Sequence, residues 1–295
     1  MKYGWLLALL ALVGCVRGGP PATLHYVVGR PYQAGGVWFY PHEDFARDET
    51  GLATVYAGGH AAATADGERF DQSALAAGHP TLQLPALARL TNLENGRQIL
   101  VRINDRGPAD PARMMVITRR AALLLAVADP RAVRMRLQVL PDESRQMAAS
   151  LHADGPALKV AAAPEAGVTT ESLAPPPGTH QGAGAAPPAA IAVAAPRAGP
   201  AIAAVPLRLP EAVTQGPARP GQLEIDCGDF SQPAYADVLR ARLAALGARA
   251  TTSYDAPRDR AYMVRIGPLA NVAAADAMLQ RVRAAGATGA RIVVE

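Results

Sequence analysis

The chain has 295 residues, of which 64 are Ala, and aromatic residues make up only 5%, so large apolar side chains are scarce. This composition argues against a single core of that length and predicts smaller folded units joined by segments that do not fold. The formal net charge is +4, and no cluster of Lys or Arg is dense enough for a nucleic-acid surface, so nucleic acid is excluded as an expected partner.

Residues 1–14 are typical of an export signal. Lys2 precedes an apolar run of about ten residues, which is too short for a membrane-spanning helix. The run ends in Leu12-Val13-Gly14-Cys15, which resembles the bacterial lipobox, and this resemblance implies that Cys15 becomes acylated and anchors the protein in a membrane. The alternative is an ordinary secretory signal with an incidental Cys. Val16 follows, where Asp is the usual inner-membrane retention signal, so we expect the periplasmic face of the outer membrane.

The next segments predict an anchor region and then a first folded unit. We expect residues 15–46 to form the anchor segment and residues 47–145 to fold. The clearest signals in the folded unit are a hairpin turn at 94–96, a short helix at 119–127 and a half-buried, alternating strand at 133–139. Many short strands with one short helix predict a small all-β barrel.

Three polar side chains in predicted turns of this unit are candidates for catalysis. Glu68 and Asp105 supply carboxylates, and His79 supplies an imidazole. Cleavage of a glycosidic bond needs an acid to protonate the leaving oxygen and a negative group to steady the transition state. Spacing alone does not bring these residues together, and residues 105–108 also read as an ordinary turn.

Several segments of this unit resemble the rare lipoprotein A (RlpA) family, whose catalytic unit is a double-psi β-barrel. The segments that carry the resemblance are residues 51–56, 64–71, 77–85, 89–97 and 101–108, with 26–32 upstream and 137–145 downstream. Members of the family are lytic transglycosylases. They cut naked glycan strands of peptidoglycan, which have lost their stem peptides, and leave 1,6-anhydro-muramyl ends. The resemblance implies no metal and no organic cofactor.

The same resemblance assigns roles to individual residues. It implies Asp105 as the acid/base, Glu68 as the second carboxylate and His79 as a supporting polar group. Tyr56 and Arg106 lie in the matching motifs and are expected to contact the glycan.

Three departures from the family pattern affect the expected activity. Val55 stands where the family has Trp, and residues 61–63 stand where it has Gly and a basic residue. Val116 replaces an Asp whose counterpart in the related expansin-type barrels is functionally important, so weakened or absent cleavage is expected from this change.

The alternatives to a transglycosylase are a non-catalytic lipoprotein that binds denuded glycan and an expansin-like protein that loosens the wall.

A disordered linker is expected over residues 146–220. Residues 151–220 contain 21 Ala, 13 Pro and 7 Gly but no Phe, Tyr or Trp. Such a segment buries too little apolar surface to offset the entropy lost on ordering.

Residues 221–295 contain an internal repeat, in which 225–230 matches 264–269 at an offset of 39. Each half reads as strand, helix and strand, which predicts an α+β unit of βαββαβ order with both helices on one face of a four-stranded antiparallel sheet. Residues 225–230 and 262–268 resemble the SPOR domain. That resemblance implies binding to glycan strands without stem peptides, typically at the division septum.

Strand alternation divides the residues of this sheet between its two faces. The residues expected on the face without helices are Glu224, Asp226, Met263 and Arg265. They are candidate glycan contacts or simply solvated strand residues. Cys227 is expected under the helices as a buried, inert thiol, and with Cys15 acylated no intrachain disulfide is possible.

Overall fold

The computed structural model describes residues 23–58, 62–153, 208–253 and 261–295. The predicted export signal, Cys15 and most of the predicted linker lie outside these ranges. Within them, no helix combines the length and the apolar character that crossing a membrane requires.

The first unit is a closed barrel of six strands. The strands of residues 23–153 are β1 (Tyr32–Ala34), β2 (Val37–Phe39), β3 (Asp48–Val55), β4 (Ala76–Gly78), β5 (Ala86–Asn92), β6 (Arg97–Asp105), β7 (Met115–Ile117) and β8 (Val133–Val139). Strands β4, β7, β3, β8, β5 and β6 pair in this order, and β4 also pairs with β6, which closes the barrel. The pairs β3–β7 and β4–β6 are parallel, and the others are antiparallel. The predicted barrel is confirmed.

Local sequence patterns explain several of these elements. In β8, Met135 and Leu137 are fully buried while Arg136 is exposed, so the predicted alternating strand is confirmed. The predicted hairpin is also confirmed, because β5 and β6 pair with Leu90 opposite Ile99. The predicted short helix is shorter than expected. This helix, α1 (Arg119–Leu124), is capped by the Thr118 hydroxyl, which accepts a hydrogen bond from the Ala121 amide.

Residues 23–46 pack against the barrel instead of only connecting it to an anchor. Strands β1 and β2 form a hairpin, and Val27 forms a backbone bridge with Leu84. The Arg106 guanidinium donates to the Val28 carbonyl at 2.6 Å. The folded unit therefore begins upstream of the expected boundary at residue 47.

Both ends of the expected linker are folded. Helix α2 (Pro141–Ala153) crosses the expected boundary, and Ser144 is fully buried with its hydroxyl bonded to the amide of Leu87. At the other end, β9 (Thr214–Gln215) pairs with β6. The middle of the expected linker, residues 154–207, lies outside the described residues.

The second unit has the predicted βαββαβ order. Its elements are β10 (Leu223–Phe230), α3 (Pro233–Arg242), a 3₁₀ turn (Ala244–Leu246), β11 (Arg249–Ser253), β12 (Ala261–Leu269), α4 (Val272–Ala284) and β13 (Arg291–Val294). The antiparallel sheet has the order β11, β12, β10, β13. Leu279 and Val282 of α4 and Ile225 of β10 are buried in one core. Cys227 is also buried, and burial raises the pKa of its thiol to about 12, as expected for an inert thiol.

Asp226 is covered by an ion pair on the face of the sheet without helices. It lies opposite Arg265 of β12 and Arg291 of β13, and side chains directly opposite each other in a sheet share one face. The Asp226 carboxylate is only 4% exposed and pairs with Arg291 at 2.9 Å, so it is not a solvated strand residue. Glu224 and Met263 on the same sheet are half-buried.

The two units contact each other through the edge strand β13. The Thr50 hydroxyl of β3 donates to the Val294 carbonyl at 2.5 Å and accepts from the Val294 amide at 3.3 Å. Arg113 forms a bidentate ion pair with Asp276 at 2.7 and 3.0 Å. These contacts cover one edge of the second sheet.

We predict that Gly96→Ala destabilises the barrel and loosens residues 208–220. Gly96 has φ +79°, and a Cβ there would collide with the Gly216 carbonyl. The strain should lower the free energy of unfolding by about 1–2 kcal/mol. Hydrogen exchange should show lost protection at the Gly216 and Arg219 amides, which bond to Gly96 and Leu93.

Gly58→Ala is the matched control, because a Cβ at Gly58 would meet nothing within 4 Å. Unchanged amide protection at Gly216 in the Gly96→Ala variant would show that this segment does not depend on the hairpin turn.

Candidate active site

Asp105 is the last residue of β6, and its carboxylate is held in one orientation. Oδ1 accepts hydrogen bonds from the backbone amides of Ala65 at 3.0 Å and Arg106 at 2.8 Å. Oδ2 accepts from the Tyr56 hydroxyl at 3.1 Å. The residue is only 6% exposed. These donors fix the side chain at the barrel edge, which suits a group that must transfer a proton in a defined direction.

The Glu68 carboxylate lies beside the same strand. Arg102 approaches it at 2.6 Å, and the Asn104 amide donates to it at 2.8 Å. Glu68 lines a cavity of about 280 Å³. Asn104 immediately precedes Asp105, and the turn that carries Glu68 also carries Ala65. The end of β6 and this turn therefore hold both candidate carboxylates.

Tyr56 is a neutral donor to Asp105. Burial, followed by the charge of Asp105 and their hydrogen bond, raises the pKa of the Tyr56 phenol above its usual value. Its ring meets Phe70 edge-on, with ring centroids 4.9 Å apart. The structure thus gives Tyr56, which was expected to contact glycan, a direct contact with the candidate acid.

His79 is buried with both ring nitrogens engaged. Nδ1 accepts from the amides of Thr81 at 3.2 Å and Leu82 at 3.1 Å, which assigns the ring proton to Nε2. Nε2 lies 2.7 Å from Glu49. Burial lowers the pKa of His79, so the imidazole is neutral. The backbone amide of His79 donates to the Asp105 carbonyl at 2.9 Å, so His79 supports Asp105 through the main chain.

Glu49 is a site-adjacent residue that the sequence analysis did not identify. Burial raises its pKa, but the hydrogen bond from His79 and the charges of Arg47 and Arg291 outweigh this, so its pKa lies below its usual value. The sequence offered one signal for Glu49, an acidic residue near the start of a strand whose middle residues are buried. That signal is weak, because solvated acidic residues are common at strand ends.

The Arg106 side chain, which was expected to contact the glycan, bonds to main-chain carbonyls of the protein. Its guanidinium donates to the carbonyls of Leu82 at 2.5 Å, Val28 at 2.6 Å and His79 at 3.3 Å. Burial lowers its pKa. Arg106 thereby joins the N-terminal segment to the loop after β4 and carries no bond of its own to a carboxylate in these contacts.

Asp66 is a second buried acid that the sequence analysis passed over. It is fully buried, and its Oδ1 accepts from the Thr64 hydroxyl at 2.6 Å and from the Glu68 amide at 3.2 Å. Its Oδ2 has no hydrogen-bond partner among the described residues. Burial raises the pKa of Asp66 to about 6, which favours the protonated acid.

Val116 lies next to Gly78 and Gly107, which are close to Asp105. In β7 it pairs with Gly78, and its Cγ1 would lie 3.0 Å from a Cβ at Gly78 and 3.5 Å from one at Gly107. Gly78 in turn pairs with Asp105. A carboxylate at position 116 would therefore neighbour Asp105, and Val makes this place apolar.

The candidate glycan contacts of the second unit are paired with charged neighbours. Glu224 accepts from Arg249 at 3.0 Å, and Arg265 pairs with Glu295. Met263 Sδ lies 3.3 Å from the Arg265 guanidinium. In the parts of the chain that the structure describes, no three His, Cys, Asp or Glu side chains are grouped to hold a metal ion.

Comparisons with known proteins match both units. The profile of the lytic transglycolase family matches residues 48–137, and the SPOR domain profile matches residues 220–293. Relatives named endolytic peptidoglycan transglycosylase RlpA include one from Pseudomonas aeruginosa, 30% identical over 82% of this chain and 70% of its own length. One from Yersinia pestis is 46% identical over 32% of this chain and 27% of its own length.

Other relatives with the same name match over part of their length. The relative from Rickettsia felis is 33% identical, and the match covers 47% of this chain and 62% of that relative. The match to the relative from Rickettsia prowazekii covers 39% of that relative. The chain thus spans less than two thirds of these relatives. A solved RlpA SPOR domain from Pseudomonas aeruginosa aligns with 25% of this chain and 99% of that chain, at 23% identity and a TM-score of 0.23.

We predict that Asp66→Asn removes a pH dependence of stability. The pKa of Asp66 is 3.8 in its ordinary state and about 6 in the folded protein. At a pH between these values, the folded protein keeps a proton on Asp66 that the unfolded chain releases. The wild-type free energy of unfolding therefore falls as pH rises from 4 to 6. The free energy of unfolding of the variant, relative to that of the wild type, should therefore rise by up to about 3 kcal/mol between pH 4 and pH 6.

Urea unfolding at pH 4, 5, 6 and 7 measures this difference. Asp142→Asn, at an exposed carboxylate in α2, is the control and should follow the wild-type pH dependence. Parallel curves for wild type and Asp66→Asn would refute the assignment.

Proposed function

Because this chain belongs to the RlpA family, we propose that its barrel is a lytic transglycosylase that cleaves peptidoglycan glycan strands without stem peptides. The observation that carries this proposal is the placement of Asp105. Its carboxylate stands at the end of a strand with three donors fixing it, and Glu68 is held by the adjoining turn. This arrangement supplies the two carboxyl groups that glycoside cleavage requires.

In the proposed reaction Asp105 is the general acid and then the general base. It protonates the glycosidic oxygen that leaves from C1 of the muramyl residue. It then takes the proton from the C6 hydroxyl of the same residue as this oxygen bonds to C1. One C–O bond breaks, another forms, no water is consumed, and Asp105 ends protonated as it began.

Glu68 and Tyr56 support this step in different ways. Glu68, paired with Arg102, supplies negative charge to steady the oxocarbenium-like transition state. Tyr56, kept neutral by its raised pKa, orients Asp105 through Oδ2. His79 acts one step further away, by fixing the main chain at Asp105.

A second candidate function is binding of denuded glycan without cleavage. Position 116 favours it, because Val116 places an aliphatic group where the family motif has a carboxylate close to Asp105. Binding and cleavage would use the same groove, so the product analysis described below separates them.

The second unit is proposed to direct the enzyme to its substrate. Its match to the SPOR domain profile supports binding of naked glycan, and the resemblance to that domain implies that this binding takes place at the division septum. The residues proposed to contact glycan are Glu224, Met263 and Arg265 on the half-buried sheet surface, with Asp226 acting through its ion pair to Arg291.

A lipid anchor at Cys15 is proposed to hold the protein on the periplasmic face of the outer membrane. The support is the lipobox-like end of the export signal and the absence of Asp after the Cys. Acyl chains contribute about 0.8 kcal/mol per buried CH₂, so several chains on one Cys anchor a protein firmly.

We predict that Asp105→Asn lowers cleavage by about 10²–10⁴-fold while the fold persists, because Asn keeps the size of the side chain but transfers no proton. Amidase-treated glycan strands are digested, and the products are analysed by mass spectrometry for anhydro-muramyl ends. Asp142→Asn is the control and should cleave as the wild type does. Equal cleavage by Asp105→Asn would refute its role.

The same digestion separates the functions. Reducing ends indicate a hydrolase, and unchanged strands that co-sediment with the protein indicate a binder. In that last case Val116→Asp should gain activity, since it restores the carboxylate beside Asp105. Similar cleavage of peptide-bearing strands would contradict the proposed preference for naked glycan.

We predict that Cys15→Ala abolishes acyl labelling and leaves the protein soluble or as an uncleaved precursor. Labelling with a radioactive or clickable fatty acid, followed by membrane fractionation, measures the change. Cys227→Ala is the matched control and should be labelled normally, because that thiol is buried. Normal labelling of Cys15→Ala would exclude the anchor.

A further inference from the structure

A groove of about 610 Å³ lies beside Tyr56, between the end of β3 and helix α1. We call it the α1 groove, and the lining residues that matter here are Val55, Tyr56, Leu123, Val127, Arg119 and Arg131. Its volume falls in the range of about 300–1,000 Å³ that is usual for small-molecule sites. The groove is therefore large enough to hold sugar residues.

The α1 groove adjoins the candidate acid through one side chain. Tyr56 lines the groove, and its hydroxyl donates to Asp105 Oδ2 at 3.1 Å. When the scissile bond of a glycan strand lies at Asp105, the neighbouring sugars of that glycan would thus lie toward this groove.

The groove combines an apolar wall with two positively charged side chains. Leu123 is 65% exposed, and such a large exposed apolar side chain on a short helix suits contact with the C–H faces of sugar rings. Arg119 and Arg131 are exposed, and no carboxylate is among the described residues that line the groove. A ligand with both apolar faces and negative charge matches this surface.

Arg119 and Arg131 differ from the other arginines around them. Arg113, Arg120 and Arg136 each form ion pairs, with Asp276, Glu211 and Asp48 respectively. Within the described residues, the side chains of Arg119 and Arg131 form no hydrogen bond or ion pair. The nearby Asp129 bonds the backbone amide of Arg131, at 2.9 Å.

We propose that the α1 groove binds muramyl residues next to the cleaved bond, and that Arg119 and Arg131 pair with their lactyl carboxylates. This inference rests on the proposed function. Removing a stem peptide converts the lactyl amide into a free carboxylate, which is a new negative charge on each muramyl residue. A guanidinium recognises such a carboxylate through paired hydrogen bonds. The two arginines would therefore distinguish naked strands from peptide-bearing strands at the catalytic unit itself.

The test uses the full chain and two soluble substrates. Amidase-released strands are cleaved either with native lactyl carboxylates or after their conversion to methylamides with a carbodiimide and methylamine. The wild type should cleave the native strands with a kcat/KM about tenfold higher than the neutral strands, mainly through KM. The double variant Arg119→Gln/Arg131→Gln should lose about tenfold on native strands and cleave both substrates alike.

Arg89→Gln is the matched control, since Arg89 is an exposed arginine of β5 that does not line the groove. It should keep the wild-type preference. If the double variant still cleaves and still prefers native strands to neutral strands, other residues recognise the lactyl carboxylate. This proposal is then overturned, although the proposed function stands. If the wild type leaves both substrates uncut, the proposed function fails and this proposal fails with it.

Discussion

The pairing of β4 with β6 is the contact on which the rest of the catalytic unit depends. It closes the barrel and places Gly78 beside Asp105, so one pair of strands completes the fold and positions the candidate acid. A Cβ at position 78 would lie 2.6 Å from the Tyr56 hydroxyl, so a larger residue there would displace this donor to Asp105. The next residue, His79, donates its amide to the Asp105 carbonyl. A rigid main chain at Asp105 therefore follows directly from barrel closure.

Polar groups buried around this closure are stable because most of them are paired. His79 satisfies two backbone amides and Glu49, and Glu68 is held by Arg102 and Asn104. Asp66 is one exception, because its Oδ2 has no hydrogen-bond partner among the described residues and burial raises its pKa. A buried polar group without a partner is costly. We interpret Asp66 as a buried acid that keeps its proton up to about pH 6 and completes the turn leading to Glu68 at some expense of stability.

Charge is distributed so that recognition and chemistry occupy adjoining surfaces. The candidate carboxylates lie at the barrel edge, whereas Arg119 and Arg131 lie in the α1 groove, whose described lining residues include no carboxylate. Tyr56 joins the two regions, because it lines the groove and donates to Asp105. Substrate charge and the reacting bond would therefore be bound by different residues of one continuous surface. The second unit, held at Thr50 and Arg113, lies against the opposite part of β3.

The sequence by itself determined the elements whose signals are local. Alternation predicted β8, a turn signal predicted the hairpin at 94–96, and the 39-residue repeat predicted the βαββαβ unit, because these patterns involve neighbouring residues. Only the tertiary structure decided which distant groups meet. It paired His79 with Glu49, buried Asp226 against Arg291 and packed residues 208–220 on the barrel. Such contacts depend on barrel closure and strand register, which bring together residues far apart in the chain and leave no periodic trace in the sequence.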